Sequence, residues 1–444
     1  MLAETCQSNL GANRFLCSRS AEDRRLTGFT SHTMIHALSA SIFQNFPYDN
    51  IQDRNPVGTF QLPFQNDHGM VEVGVVSLDF GFWLIAFVLL CGQAAFNAFV
   101  AFVTYEYLLP QRNSNSIHHL VLGYGFVVPG LLLGALWIFY YWQCRNITLM
   151  LCAFGAVPVL TLRVIEAMHG KLPDYCTASR RMTCLYFAST LLLAVDEKGH
   201  CPIPLTRPIL WSKACHFVNV FLQTGALLSV LLATDYQVFP SLKHHTFYWG
   251  NLGNSFLLAS LTSLVLDGGA SGLGLLTSCI TGYVLEDFHD APLTQSTSLS
   301  DFWGRRWDRP VQSALRRGCY APLRDTYSSA FASFVTFLVS GLVHEYVLLV
   351  MSLRGGHTFS PQYGRQFIFF VWNGIVLLLE RYWKQGTKDK ESSMMNHLPK
   401  PVQTALVLMI VLPIGHYFTD EYIRASFYDD CSWGFPIVVL MRQE

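Results

Sequence analysis

Long apolar runs separated by short polar segments dominate the chain from about residue 80 onward. A helix needs about 20 mostly apolar residues to cross a bilayer, so runs nearly free of Asp, Glu, Lys and Arg predict membrane spans. The strongest runs are Phe80–Tyr105, Ser116–Cys144, Ala214–Thr234, Thr246–Leu266, Tyr327–Leu353 and Pro401–Phe418. Weaker runs are Asn146–Leu162 with its continuation to about Met168, Met182–Val195, Gly272–Leu285, Gln366–Leu379 and Phe435–Met441. The pattern predicts roughly eight to ten spans.

The same runs favour helices over a transmembrane β-barrel, because they lack the sustained alternation of apolar and polar residues that barrel strands show. We therefore predict an all-α, polytopic integral membrane protein. Residues 1–70 contain no long apolar core and are predicted to form a non-membrane segment that can be flexible. Residues 71–444 are predicted to form one multi-span domain.

The overall charge excludes some classes of partner. Charged residues make up only 14% of the chain, where a soluble globular protein carries about a quarter, so a water-soluble enzyme is disfavoured. Thirty basic and thirty acidic residues leave no net charge, so we expect no nucleic-acid partner. The expected surroundings are a lipid bilayer.

Basic residues concentrate in two connecting segments, which the positive-inside rule places in the cytosol. The first contains Arg305, Arg306, Arg309, Arg316, Arg317 and Arg324, and the second contains Arg381, Lys384, Lys388, Lys390 and Lys400. The chain must cross the membrane twice between them, which predicts that the segment Arg354–Gly364 lies on the opposite side.

No metal site is expected from the sequence. The twelve cysteines form no CxxC pair, and several lie inside apolar runs, as packing residues do. His344 and Glu345 begin like the zinc motif HExxH, but Leu348 occupies the position of the second ligand.

His344 is the first candidate for chemistry, because ionisable residues inside spans are costly and often functional. Ser340 lies one turn before it on the same helix face, where a small residue allows close packing or a cavity. Imidazole is the side chain best matched to taking a proton from a hydroxyl near neutral pH. A histidine hydrogen-bonded between helices is the alternative, and position alone does not decide between them.

The second candidate is the segment from Ser300 to Asp308, which mixes aromatic residues, a glycine and two adjacent arginines. Trp303 and Trp307 suit the depth of the lipid headgroups, and Arg305 and Arg306 suit bidentate contacts to phosphates. By composition alone, an ordinary interfacial belt with topology-determining arginines is the favoured alternative.

Taken together, the two segments resemble a known family. Ser298-Leu299-Ser300-Asp301-Phe302-Trp303-Gly304-Arg305-Arg306-Trp307 is similar to the S-L-x-D-F-W-G-R-R-W motif in the wax-synthase branch of the membrane-bound O-acyltransferases. Ser340-Gly341-Leu342-Val343-His344-Glu345 is similar to the S-G-x-x-H-E string that follows it in that branch. The resemblance is detailed over the motif region 293–350 and covers the multi-span layout only in outline.

The resemblance implies transfer of an acyl group from acyl-CoA, as co-substrate, to a hydroxyl, without a permanently bound cofactor. It implies His344 as the catalytic base and Asp308 as its companion, although Asn or His is usual at the latter position. Arg305, Arg306, Trp303 and Trp307 are the predicted acyl-CoA-binding residues. The acceptor stays open between a long-chain fatty alcohol and a terpenoid, the acyl group between acetyl and fatty acyl, and we expect the endoplasmic reticulum as the location.

A secondary transporter or channel is the alternative function. Its support is the number of spans and a predicted helix break at Asp267–Gly272. Ionisable residues within or at the edge of the membrane add to it, namely Asp79, Arg163, Glu166 and His344. A transporter of this kind usually has paired broken helices, and the sequence predicts one break. A non-catalytic membrane scaffold is a third class, and it gives His344 and the arginines no role.

Overall fold

The computed structural model describes residues 58–63, 70–76, 79–109, 117–177, 179–196, 201–242, 247–355, 359–386 and 398–440. The chain divides into two units, Met1–Asn45 and Phe46–Glu444, and all described residues lie in the second. Most of the predicted N-terminal segment 1–70 lies outside the described residues.

Six helical segments among the described residues are long and apolar enough to cross a membrane. They are Phe80–Leu108, His118–Trp142, Ile147–Met168, Arg207–Ala233, Trp249–Thr281 and Ser329–Ser352. Two shorter helical segments, Lys400–Ile414 and His416–Arg424, meet at a bend of 52° and make a seventh span if counted as one. The predicted all-α, polytopic fold is confirmed.

The described helices follow one another closely along the chain. They are α1 (Phe80–Val103), α2 (His118–Leu122), α3 (Val128–Trp142), α4 (Ile147–Phe154), α5 (Val157–Met168), α6 (Asp174–Thr177), α7 (Arg180–Ser189), α8 (Arg207–Ala233), α9 (Trp249–Thr281), α10 (Pro292–Gln295), α11 (Leu299–Asp301), α12 (Arg309–Leu315), α13 (Ala321–Arg324), α14 (Ser329–Ser352), α15 (Arg365–Gly386), α16 (Lys400–Val411), α17 (His416–Arg424) and α18 (Phe427–Cys431). Wider π-helical turns occupy Thr104–Leu108, Gly123–Val127, Phe302–Arg306 and Arg316–Tyr320, and tighter 3₁₀ turns occupy Leu412–Ile414 and Ser432–Gly434.

Three of the weaker predicted spans do not form as separate helices. In place of Met182–Val195 the chain forms α7, whose ten residues span only about 15 Å. Gly272–Leu285 contributes its first part to the C-terminal end of α9, and Phe435–Met441 contains a β-strand. The predicted span Gln366–Leu379 lies in the helix Arg365–Gly386, which is not among the segments counted above. The described residues therefore offer six or seven spans by length and composition, fewer than the predicted eight to ten.

The predicted break at Asp267–Gly272 is wrong, because α9 continues through it as one 33-residue helix. The glycines serve packing against α8 instead. A Cβ atom on Gly272 would lie 2.9 Å from Cε2 of Phe217, and one on Gly268 would lie 3.7 Å from Cγ1 of Val220. Small residues at such positions let two helix backbones approach closely, which stabilises a helix that the glycines would otherwise weaken.

A small antiparallel sheet joins the two ends of the described chain. Its strands β1 (Gly58–Pro63), β2 (Met70–Val76) and β3 (Ile437–Leu440) pair in the order β1-β2-β3. Gly58 lies opposite Val75, and Val76 lies opposite Ile437. The predicted domain boundary at residue 70 stays a prediction, and the β1–β2 hairpin crosses it.

α14 and α15 form a tightly packed helix pair that holds His344. A Cβ atom on Gly341 would lie 2.8 Å from Cδ2 of Phe367, so the two backbones approach closely at this point. Towards the other end of the pair, the guanidinium of Arg381 donates to the hydroxyl of Ser333, the fifth residue of α14. The two helices therefore run antiparallel, and the basic segments before α14 and after α15 begin at the same end.

Candidate active site

A pocket of about 360 Å³ lies between α14, α15 and the segment 298–308, which we call the motif loop. Four predicted site residues line it: Trp303, Trp307, Asp308 and His344. Its further polar and charged members are Ser300, Gln312, Arg316, Tyr320, Arg324, Ser333, Thr336, Ser340 and Arg381. The structure thus brings the two motifs of the sequence together in one pocket.

The pocket follows one face of α14. Ser333, Ser340 and His344 all line it, and with Thr336 and Phe337 they recur at the helical spacing of three or four residues. Ser333 and His344 are eleven positions apart in this helix, which corresponds to about 16 Å along the axis. On α15, Arg381, Leu377 and Phe370 line the same length in the opposite direction. The pocket therefore connects a basic end with the imidazole of His344.

His344 is half-buried between aromatic rings. Its imidazole stacks on Phe370 with ring centres 4.6 Å apart and meets the edge of Phe418 at 5.0 Å. Nδ1 lies 3.5 Å from the hydroxyl of Tyr422, a contact at the long limit of a hydrogen bond. Since Nδ1 faces Tyr422, Nε2 is the nitrogen left for chemistry in the pocket.

Asp308 occupies a strained position at the start of α12. Its φ of 44° lies in the left-handed region, and its Oδ1 accepts a hydrogen bond from the Val311 amide at 3.2 Å. The Asp308 amide donates to Nδ1 of His289 at 2.9 Å. Burial lowers the pKa of His289 to about 4, so this imidazole is neutral and free to accept.

Removal from water also raises the pKa of Asp308 to about 7, well above that of an ordinary aspartate. At neutral pH the carboxyl group is therefore protonated in a substantial fraction of molecules, and the protonated form can donate a hydrogen bond as an asparagine does. Within the described residues no hydrogen bond joins Asp308 to His344. The two share the pocket, and the predicted pairing between them stays a prediction.

The two tryptophans build an aromatic wall. The indole nitrogen of Trp303 donates to Oδ1 of Asn373 at 3.1 Å, which fixes the ring against α15. Trp307 stacks on Phe302 with ring centres 5.6 Å apart. Their predicted contact with acyl-CoA stays a prediction, and their position in the pocket wall is compatible with it.

The arginines of the motif loop lie outside the pocket wall. Arg306 donates to the carboxylates of Asp301 at 2.8 Å and Asp290 at 3.2 Å, so it stabilises the loop. Arg305 is exposed. The pocket is instead lined by Arg316, Arg324 and Arg381, which the sequence marks only as signals of membrane topology. Their place in the basic segments was the only signal in the sequence, and only the packing of the helices shows which arginines line the pocket.

Two other ionisable residues singled out by the sequence belong to a structural cluster. Arg163 and Glu166 both bind the same tyrosine. The Arg163 guanidinium lies over the ring of Tyr186 at 4.1 Å and donates to its backbone oxygen, and Glu166 accepts from the Tyr186 hydroxyl at 2.9 Å. These residues are buried together away from the pocket.

Comparison with known proteins identifies the same region. Residues 288–372, which contain the motif loop and His344, match the model of the "Membrane bound O-acyl transferase family". The predicted resemblance to this family and to its wax-synthase branch is confirmed by this match and by the relatives.

Three relatives illustrate the similarity. A protein of Arabidopsis thaliana named "Probable long-chain-alcohol O-fatty-acyltransferase 8" is 35% identical over 30% of this chain and 40% of its own length. "Acyl-CoA--sterol O-acyltransferase 1" of the same plant is 32% identical over 30% of this chain and 37% of its own length. "Probable long-chain-alcohol O-fatty-acyltransferase 2", also of Arabidopsis thaliana, is 28% identical over 64% of this chain and 86% of its own length. The chain thus spans less than half the length of the first two.

Proposed function

Since residues 288–372 match the model of the membrane bound O-acyl transferase family, we propose that the chain is a multi-span enzyme that esterifies a lipophilic alcohol with the acyl group of acyl-CoA. The observation that carries this proposal is the pocket that connects three arginines with His344. This reaction needs a binding site for the phosphates of the thioester donor and an imidazole that accepts a proton, and the pocket offers both.

The arginine end of the pocket is proposed to bind the phosphates of CoA. Arg316 and Arg324 are exposed at this end, and Arg381 lies beside them in the wall. Planar guanidinium groups bind phosphate oxygens through paired hydrogen bonds. An extended donor anchored there reaches along α14 towards His344, over the roughly 16 Å that separate its two ends.

His344 is proposed to act as general base. Nε2 takes the proton from the alcohol while the alcohol oxygen attacks the thioester carbonyl carbon. The new C–O bond forms, the C–S bond breaks, and the departing CoA thiolate takes the proton back from the imidazolium. The reaction needs no acyl-enzyme intermediate, and its protons balance within the site.

Asp308 is proposed to stabilise the negative charge that develops on the carbonyl oxygen. A carboxyl group with a pKa near 7 is protonated in part at neutral pH and then donates through its O–H. Asparagine, the more usual residue in the resembled family, donates through its N–H. The carboxylic acid therefore replaces the amide as a hydrogen-bond donor.

The aromatic wall is proposed to hold the acyl chain and the acceptor. Trp303, Trp307, Phe337 and Phe370 offer a water-poor surface beside His344. The relatives' names refer to long-chain alcohols and a sterol, which are lipophilic hydroxyl compounds of different shape. We propose a long-chain fatty alcohol or a terpenoid as acceptor, with a fatty acyl or acetyl group as cargo, in the endoplasmic reticulum membrane.

The structure removes the predicted helix break that supported the transporter alternative. The break predicted at Asp267–Gly272 is a continuous helix, and the bent pair α16–α17 is the one bent span found among the described residues. His344 lies in a pocket shared with the motif loop, which suits catalysis better than passage across the membrane.

Membranes containing the chain test this function directly. They are incubated with radiolabelled acetyl-CoA or palmitoyl-CoA and with hexadecanol, a sterol or a terpenoid alcohol, and both ester and free CoA are measured. Ester formation with equimolar CoA release is expected for at least one pair. His344→Ala should reduce the rate by about 10²–10⁴, the usual contribution of a general base.

The matched control is His169→Ala, since His169 binds Tyr124 outside the pocket. This variant should keep the wild-type rate at equal membrane abundance. Absence of ester in the wild type across the panel would contradict the proposed function, and an active His344→Ala variant would contradict the role of the base.

A further inference from the structure

Tyr422 contacts His344 from the bent helix pair at the end of the chain. The two residues are 78 positions apart, and the hydroxyl of Tyr422 lies 3.5 Å from Nδ1 of His344. Neither the motif loop nor the string around His344 points to this tyrosine. The contact needs an explanation because the phenol touches the proposed base directly.

The bend between α16 and α17 brings this tyrosine into position. The helical course changes direction by 52° at Gly415, after a tight turn that contains Pro413. Phe418 and Tyr422 then lie one turn apart on the same face of α17, and both reach the imidazole. Without this bend, the side chains of Phe418 and Tyr422 would follow the direction of α16 and would not be directed towards His344.

The tyrosine ring is held firmly in place. Only 8% of Tyr422 is exposed, and its ring packs between Phe418 at 5.3 Å and Phe427 at 5.5 Å. Gln366 lies beside the hydroxyl and is itself fixed by a hydrogen bond to the Phe418 carbonyl at 3.0 Å. The phenol is therefore a fixed partner for His344.

His344 has no other hydrogen-bond partner in the part of the chain that the structure describes. Its remaining close neighbours, Phe370 and Phe418, present rings without acceptor atoms. The second nitrogen of a histidine base is normally fixed by a partner, because that contact determines which nitrogen carries the proton. Tyr422 is the group in position to do this.

Gln366 suggests the direction of the hydrogen bond. Its Oε1 is buried and makes no hydrogen bond in this structure, so it is open to accept one if the phenol turns its O–H towards Gln366. If the phenol directs its O–H towards Gln366, its oxygen accepts Nδ1–H of His344. The lone pair of the neutral imidazole then lies on Nε2, on the pocket side.

We propose that Tyr422 is a positioning residue that holds His344 in the tautomer with an unprotonated Nε2. The proposal rests on the function proposed above for His344. Once Nε2 has taken the alcohol proton, Nδ1–H still donates to the phenol oxygen, so the same contact serves the transition state. The 3.5 Å distance is expected to shorten when substrate closes the pocket.

Tyr422→Phe in the full-length, membrane-embedded protein is the test, since it removes one oxygen and keeps the ring. We expect kcat to fall about ten- to a hundredfold, as for loss of other partners that orient a functional histidine. The KM values for acyl-CoA and alcohol should stay within about twofold, because the phenol orients the base without contacting either substrate.

The matched control is Tyr428→Phe. Tyr428 is likewise buried in this region, and its hydroxyl binds Oγ1 of Thr262 at 2.6 Å, away from the pocket. At equal membrane abundance this variant should keep its kcat within about threefold. Equal losses in the two variants would show a general packing effect and overturn the proposal.

A double variant distinguishes an effect of Tyr422 through His344 from an effect on the rest of the protein. Tyr422→Phe should cause no further loss in the His344→Ala background, since it acts only through that imidazole. A further loss there, a wild-type kcat in the single variant or a selective rise in KM would each overturn the role of Tyr422. Ester formation by the wild type is scored separately, so failure of the proposed enzyme function is told apart from failure of this inference.

Discussion

At the residue scale, the pocket holds His344 and Asp308 in different surroundings. His344 lies between aromatic rings in mid-helix, whereas Asp308 ends the motif loop in a left-handed backbone conformation. The strain at Asp308 is offset by hydrogen bonds to both its amide and its carboxyl group. Both the position and the protonation of this aspartate are therefore set by the protein.

The protonation of Asp308 predicts a pH dependence. Its pKa near 7 means that the donating acid predominates below neutral pH and is lost as pH rises through that value, so kcat should fall on the alkaline side. Asp308→Asn should remove this fall while keeping most of the rate, because the amide donates at every pH. Rate profiles from pH 5.5 to about 9 at saturating substrates measure the difference.

Asp308→Leu is the companion variant, since it removes polarity at similar size. Its kcat should be strongly reduced at all pH values. Equal losses in the Asn and Leu variants would show that the ionised carboxylate is the active form and that the assignment is wrong.

The arginines allow a second comparison at this scale. Arg316→Lys with Arg324→Lys keeps the charge but removes the planar donors in the pocket, so the KM for acyl-CoA should rise several-fold and more than that for the alcohol. Arg305→Lys with Arg306→Lys provides the contrast, because Arg306 already binds Asp290 and Asp301. Its main effect should be on loop stability, with a small change in the KM for acyl-CoA.

Steady-state kinetics with both substrates varied measure these effects. A selective rise in the KM for acyl-CoA in the Arg305/Arg306 variant, with none in the Arg316/Arg324 variant, would assign phosphate binding to the motif loop, as the sequence predicts.

At the element scale, glycines determine how closely helices approach. α8 and α9 meet at Gly268 and Gly272, and α14 and α15 meet at Gly341 and Gly374. At the second interface a methyl group would be crowded, since it would lie 2.8 Å from Cδ2 of Phe367 at Gly341 and 3.1 Å from Cβ of Phe337 at Gly374. The same interface forms two walls of the pocket, so helix packing and site geometry depend on each other.

Gly341→Ala should therefore destabilise the protein by about 1–3 kcal/mol, the usual cost of overpacking. Its Cβ atom would lie 2.8 Å from Cδ2 of Phe367 on α15. Gly341 itself is three residues before His344 on α14. Gly130→Ala is the matched control, since no atom lies within 4 Å of its Cβ position. Thermal unfolding in detergent should show a lower Tm for the first variant alone, and equal Tm values would contradict the packing argument.

At the scale of the whole molecule, the pocket opens at the end of the α14–α15 pair where both basic segments begin. The positive-inside rule places that end in the cytosol, where acyl-CoA is available. Under the proposed function, a lipophilic acceptor would reach the same pocket from the bilayer. One membrane enzyme can thereby join a water-soluble donor to a membrane-dissolved alcohol.

This orientation predicts the outcome of topology mapping. A glycosylation sequon with flexible flanks, inserted between Arg354 and Gly364, should be modified, whereas the same insert at residues 387–397 should not. The shift in gel mobility and its removal by glycosidase report the modification. Modification at the second site alone would invert the orientation and place the arginines on the side without acyl-CoA.

The sequence by itself determined the class of protein and most of its candidate chemistry. The strong apolar runs mark spans because membrane insertion depends on the local composition of about 20 residues. Trp303, Trp307, Asp308 and His344 were predicted from two short strings, and all four line one pocket. Signals contained in one contiguous segment can be read without knowing how segments pack.

The tertiary structure alone decided which distant residues meet. It turned Arg316, Arg324 and Arg381 into the pocket, kept α9 continuous through its glycines, and placed Tyr422 beside His344 across 78 residues. Each of these outcomes depends on side chains supplied by a neighbouring helix, and the energy of such contacts appears only once the helices pack. A local pattern therefore reveals that a residue is unusual, while its partner is set by packing between elements far apart in the chain.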